Sequence, residues 1–148
     1  MRAVVQRVER AEVTVADAVV GRIGTGVLVY LGVGVGDDEA AGRYVAEKIV
    51  NLRIFSDETG KMNRSVLEVG GAVLVVSQFT LYGDVRRGRR PAFDGAMEPV
   101  GAERLYEFVV GQIRALGVPV QTGMFRADMR VDSAVDGPVT LLVESRPT

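Results

Sequence analysis

Ser77, Gln78, Phe79 and Thr80 open the octapeptide S-Q-F-T-L-Y-G-D, which sets two hydroxyls, an amide and an aromatic ring close together. The apolar run Ala72-Val73-Leu74-Val75-Val76 leads directly into it, so the group falls at the end of what reads as a buried strand. A strand end can hold backbone N–H groups and side chains rigidly toward a ligand. The first chemistry this suggests is nucleophilic attack by Ser77 or Thr80. Composition opposes it. The 148 residues include no His and no Cys, which excludes Ser-His-Asp and Cys-His machinery, disulfides, and zinc sites built on those residues. A Lys base would have to be Lys48 or Lys61, and neither is near the octapeptide in sequence. What remains is carboxylates, Lys, Tyr, hydroxyls, backbone amides, a hard metal, or the substrate itself.

Four other segments compete for a functional role. Gly32-Val33-Gly34-Val35-Gly36 stands where a dinucleotide fingerprint would, but Asp37, Asp38 and Glu39 follow it and would repel a pyrophosphate. It reads as a glycine-rich strand-to-helix turn. Arg86, Arg87, Arg89 and Arg90 form a concentrated phosphate-binding surface just after the octapeptide, with Asp84 and Asp94 as local alternative partners. If all four met phosphates of a single strand, the log–log salt slope of binding would approach about −3. Asp136-Gly137-Pro138 reads as a turn feeding the last strand, and Gly137 leaves room for a backbone or ligand to approach. Thr122 to Met129 carries Phe125 and Met129, residue types that serve a core or sandwich a purine.

The elements that must position these residues follow from periodicity. Strands are predicted over 2–8, 12–15, 19–23 and 27–35. A helix opens at Asp37-Asp38-Glu39 with Ala41, Tyr44, Val45, Lys48, Ile49 and Leu52 on one face. A short strand at Ile54-Phe55 precedes a turn over 57–63. The central strand is predicted over 72–80, and a polar loop over 83–99. A second helix over about 100–116 is bracketed by Pro99 and Gly117, and carries the stripe Leu105, Phe108, Val109, Gln112, Ile113, Leu116. Strands at 118–122, 129–131 and 139–144 close the chain. The order implies an α+β fold: a curled, barrel-like mixed or antiparallel sheet covered by two main helices, in a single domain over 1–148.

Apolar residues at 47% suffice for a core and charged residues at 25% are ordinary. No apolar run approaches the ~18 residues of a membrane span, and Met1 to Arg7 alternates without a signal-peptide core, so a cytoplasmic location is expected.

Taken together the segments resemble the D-aminoacyl-tRNA deacylase family. The resemblance runs through M-R-A-V-V-Q-R-V, N-L-R-I-F, G-K-M-N-x-S-V, V-S-Q-F-T-L-Y-G-D, R-R-P-A-F, T-G-M-F-R-A-D-M and D-G-P-V-T. It implies hydrolysis of the ester between a D-amino acid and the 3′-terminal adenosine of tRNA, and removal of glycine mischarged on tRNA-Ala. It also implies a homodimer with sites at the subunit interface, and neither metal nor cofactor. In the family the Gly-Pro bond, here Gly137-Pro138, is cis and enters the partner's pocket, where it grips the α-ammonium and excludes an L side chain. The resemblance makes Arg7 the brace of that motif. Ser77, Gln78, Phe79 and Thr80 become the catalytic pocket, and Phe125 and Met129 neighbours of the terminal adenine. Backbone N–H groups near Phe79 and Thr80 would hold the oxyanion, with the substrate's 2′-hydroxyl assisting water.

The chain departs from the family pattern at Arg126, where Gly is common, and at Val135, where Asn is. Ser77 to Thr80 match the chirally strict branch better than one with a trans Gly-Pro bond. The alternatives are a non-catalytic tRNA-binding module using the Arg86 to Arg90 loop, and an esterase with Thr80 as nucleophile.

Overall fold

The computed structural model describes residues 1–146. Its frame is one mixed sheet of six strands. β1 (Arg2–Val15) is its spine. One edge of β1 pairs antiparallel with β8 (Arg130–Glu144); the other pairs with β3 (Gly26–Gly32) and then β2 (Ala18–Ile23). β6 (Ala72–Ser77) lies parallel to β3, and β7 (Val120–Thr122) parallel to β6. The sheet curls until β2 returns toward β7, where Gly21 lies close under the Thr122 carbonyl. A small hairpin, β4 (Phe55–Ser56) with β5 (Met62–Arg64), stands apart.

Two helices, α1 (Glu39–Asn51) and α2 (Pro99–Ala115), pack together over the outer face. β6 is therefore buried on both sides. Val73 and Val75 meet Val45, Ile49, Leu105, Val109 and Ile113 under the helices, whereas Leu74 and Val76 point into the curl with Val8, Val13, Ile23 and Leu28. This is why its sequence is a continuous apolar run rather than an alternating one. Each such side chain contributes about 1.5–3 kcal/mol, which anchors the strand end that bears Ser77.

Three predicted boundaries are corrected. The central strand stops at Ser77; Phe79–Tyr82 is a turn of 3-10 helix, because the ladder ends where Gln78 N–H donates to the Leu31 carbonyl at 2.8 Å. The strands predicted separately at 129–131 and 139–144 are one, and those at 2–8 and 12–15 are one. On α1 the buried face is Gly42, Val45, Ala46, Ile49 and Val50, so Tyr44 and Lys48 lie outside it. The helix start is as expected, with Asp38 accepting from Ala41 N–H at 3.0 Å. Asp37 instead turns inward, 2.7 Å from the Met1 ammonium, and accepts from Gly34 N–H at 2.7 Å.

The long β1–β8 ladder contains the main irregularity. Gln6 pairs with Thr140 and Val8 with Val135, so Arg7 alone stands opposite the four residues Asp136, Gly137, Pro138 and Val139. The surplus forms an outward bulge within β8. Its Gly137-Pro138 peptide is cis and Gly137 has φ +124°, a conformation closed to most side chains. Among the described residues, no helix is long and apolar enough to cross a membrane.

Candidate active site

A cleft of about 650 Å³ opens at the end of β6, a size ordinary for a small-molecule site. Val76, Ser77, Gln78 and Phe79 form one wall; Phe125, Met129 and Val131 form another; Met97 to Pro99, at the start of α2, contribute a third. Ser77 and Gln78 are half-buried and Phe79 is exposed. Phe79 meets Phe93 edge-on, with ring centroids 5.0 Å apart.

The local sequence explains this shape. Tyr106 on α2 donates its hydroxyl to the Val75 carbonyl at 2.8 Å, and Gly123 N–H donates to the same oxygen at 3.0 Å. Both tie the wall carrying Phe125 to the strand carrying Ser77. Burial pushes the Tyr106 phenol well above its ordinary pKa, so it stays a neutral donor. The Phe125 ring rests against Tyr106 at 5.8 Å. The Met129 sulfur accepts from Met124 N–H at 3.4 Å. Phe125 and Met129 each pack on a core cluster, as one expectation had it, and each also presents a face to the cleft.

Thr80 is exposed and does not line the cleft; its hydroxyl accepts from the Gln78 amide. The N–H groups of Phe79 and Thr80 have no acceptor among the described residues. They open the 3-10 turn, where the first N–H groups of any helix lack an internal partner. Among the described residues, Glu98 is the one carboxylate lining the cleft, and it caps α2 by accepting from Val100 N–H at 2.8 Å and Gly101 N–H at 2.7 Å. Neither Lys48 nor Lys61 lines it. Among the described residues, no three acidic side chains group as a metal site.

Arg7 is brought to the Gly137-Pro138 bulge. Its Nη1 donates to the Ile54 carbonyl at 2.6 Å and its Nε to the Asp136 carbonyl at 3.3 Å, with the Asp136 carboxylate 3.2 Å away. Gly137 and Pro138 do not line the cleft of their own chain.

The arginine loop is a small excursion closed by two hydrogen bonds between Asp84 and Ala92, with Gly88 at φ +65°. Arg86 is spent locally: its Nε and Nη2 donate to the Asp84 carboxylate at 2.9 and 2.7 Å. These bonds hold the Asp84 pKa down at about 2. Arg87, Arg89 and Arg90 are exposed and form no ion pair among the described residues.

Several residues shape the cleft without having been singled out by type or spacing. Met97 and Glu98 come from the helix start, where no motif marks them, and Phe93 comes from the polar loop, where it ends the R-R-P-A-F motif without a role assigned to it. Arg126 lines the cleft and an adjoining groove of about 280 Å³, and holds a left-handed φ of +66°. Pro99 at the helix start was the one signal that could have placed Glu98 as a cap.

Residues 4–144 match the family model described as D-Tyr-tRNA(Tyr) deacylase. The chain is 62% identical to the D-aminoacyl-tRNA deacylase of Symbiobacterium thermophilum, over 100% of this chain and 98% of that protein. It is 60% identical to the D-aminoacyl-tRNA deacylase of Roseiflexus sp., over 98% and 94% of the two. Among solved structures it superposes on a c-Myc DNA unwinding element binding protein with TM-score 0.94 and 41% identity, over 99% of this chain and 100% of the other. It shares its fold with a probable eukaryotic D-amino acid tRNA deacylase at TM-score 0.82 and 19% identity, over 97% and 98%. Matched across nearly its whole length, the chain belongs to the D-aminoacyl-tRNA deacylase family and is a hydrolase acting on aminoacyl-tRNA.

Proposed function

We propose that the chain cleaves D-aminoacyl-tRNA with backbone amides and the substrate's own ribose, not with a side-chain nucleophile. Water attacks the ester carbonyl carbon, and the negative charge on the carbonyl oxygen is taken by the N–H groups of Phe79 and Thr80. The 2′-hydroxyl of the terminal adenosine relays the proton from water to the departing 3′-oxygen. The C–O bond then breaks to free the D-amino acid and tRNA. The observation that carries this reading is that, among the described residues, two N–H groups stand unpaired beside a cleft whose one carboxylate is committed to a helix cap. Oxyanion donors supply much of the acceleration in other hydrolases, about 2.7–4 kcal/mol each.

Chirality is read by a second copy of the chain. The Gly137-Pro138 bulge is braced by Arg7 but lies outside its own cleft, which supports its insertion into a partner's cleft in a homodimer. There its carbonyls grip the α-ammonium and the L direction is blocked. A block acts on every amino acid at once, where added contacts would need a pocket for each. Glycine lacks the blocked side chain, so glycine mischarged on tRNA-Ala is also released. Ser77 and Gln78 line the aminoacyl pocket; Phe125 and Met129 flank the terminal adenine; Arg87, Arg89 and Arg90 meet tRNA phosphates.

The test is a side-by-side release assay on D-Tyr-tRNA, L-Tyr-tRNA and Gly-tRNA-Ala, with the molecular mass measured in solution. D-tyrosine and glycine should be released far faster than L-tyrosine, by a dimer. Equal rates on both enantiomers, or a fully active monomer, would sink the shared-site reading.

A further inference from the structure

Arg2 begins β1 and does not line the cleft, yet its side chain is committed to the turn beside it. Its Nη1 donates to the Leu81 carbonyl at 3.0 Å. Its guanidinium lies 4.7 Å over the Tyr82 ring, and its Nε is 3.7 Å from the Glu144 carboxylate. Leu81 and Tyr82 are the last two residues of the turn whose first two, Phe79 and Thr80, carry the unpaired N–H groups.

The turn has few other anchors. Gln78 N–H, bonded to Leu31, ties its start to the sheet; Leu81 N–H to Gln78 at 3.3 Å and Gly83 N–H to Thr80 at 2.9 Å are internal. Four residues of 3-10 helix have weak bonding geometry and little stability of their own. The far end is seated by Tyr82, whose ring lies against Gly34 so closely that a Cβ there would be 2.6 Å from it. Arg2 then covers the ring and takes the carbonyl. Only a planar guanidinium can stack with its face while donating from its edge, and Glu144 adds an ion-pair partner on another side of it.

We propose that Arg2 is a positioning residue for deacylation. By clamping Leu81 and Tyr82 it sets the angle at which Phe79 and Thr80 present their N–H groups to the reacting ester. The proposal rests on the reading that those amides receive the oxyanion. Donors of this kind tolerate little displacement, and a shift of ~1 Å can cost about a hundredfold in rate. Substrate binding uses other groups, so the loss falls on kcat.

The experiment compares wild type, Arg2→Ala, Arg2→Lys, Tyr82→Leu and the double variant Arg2→Ala/Tyr82→Leu. Steady-state release from D-Tyr-tRNA is measured together with Tm and amide exchange at residues 79–83. Arg2→Ala should lower kcat by roughly 30- to 100-fold while KM stays within about threefold, and should speed exchange of the turn amides. Arg2→Lys, which keeps the charge and a donor but not the stacking plane, should recover part of kcat. The double variant should be no slower than the worse single one, since both act through one turn. A kcat for Arg2→Ala within about twofold of wild type overturns the proposal, as does unchanged turn exchange. If wild type itself released no D-tyrosine, the deacylation reading would fail, and the exchange data would still decide whether Arg2 clamps the turn.

Discussion

Arg7 bridges two elements that the sheet ladder leaves unconnected: its Nη1 donates to the Ile54 carbonyl at 2.6 Å while its Nε holds Asp136 through carbonyl and carboxylate. One guanidinium thereby pins the start of a four-residue bulge to the segment leading into β4. Arg7→Ala should free the bulge and leave the Ile54 carbonyl without its donor, at a cost of about 1–3 kcal/mol in stability. Chemical denaturation checks the cost. Release rates on both enantiomers of Tyr-tRNA should show the D/L ratio falling more than the rate on D-Tyr-tRNA. A ratio that does not move would separate Arg7 from chirality.

Thr80→Ala should retain most activity, within about threefold in kcat, because the N–H of residue 80 survives the change while its hydroxyl lies outside the cleft. A loss near a million-fold, on the order of that for deleting a true nucleophile, would restore Thr80 to that role.

Among the described residues the arginine loop offers three guanidiniums without an ion pair rather than four, since Arg86 is held by Asp84. Replacing Arg87, Arg89 and Arg90 together with Ala should flatten the log–log salt dependence of tRNA binding by about 2. Arg86→Ala alone should change it little. Filter-binding titrations across a range of salt concentrations distinguish the two, and an unchanged slope in the triple variant removes the loop from the interface.

Tyr82 links stability to alkaline pH. Burial first, then the nearby Asp37 charge, pushes its phenol up to about 12. The folded state therefore keeps a proton that the unfolded chain loses near 10. Between those values the unfolded state binds fewer protons, so stability is full below about 10 and declines as pH rises toward 12. Thermal melts of Tyr82→Phe should show a shallower decline than wild type over that window, with the remainder from Tyr30 and Tyr106, which burial also raises.

Arg126 holds a backbone conformation, φ +66°, that suits glycine. Arg126→Gly should stabilise the fold by up to about 1 kcal/mol, partly offset by the greater freedom of an unfolded glycine. Urea titration measures the sign; a destabilised variant would mean that the side chain holds the loop in place.

Much of this architecture was legible in residue order. The double burial of β6 wrote itself as an uninterrupted apolar run, the Asp38 cap and Pro99 start marked both helices, and the missing His and Cys ruled out whole classes of mechanism. These are local or compositional signals, carried by side-chain type and spacing alone. On α1 the expected face holds at Val45 and Ile49, which are buried, and at Ala41 and Leu52, which pack against the core. Tyr44 and Lys48 fall outside because the buried stripe runs instead through Gly42, Ala46 and Val50, with Phe108 packed against Gly42.

The rest depended on chain segments far apart in sequence. Asp-Gly-Pro looked like a turn feeding the last strand, yet β8 continues through it because β1 runs alongside without a break and lets the surplus bulge outward. The octapeptide looked like a strand carrying a nucleophile. It becomes a turn displaying amides because Leu31 takes the last ladder bond, Gly34 receives the Tyr82 ring, and Arg2 covers it. Those three partners lie about 50 to 80 residues upstream, so no local pattern records them; only the pairing of β1, β3 and β6 in one sheet brings them to the same place.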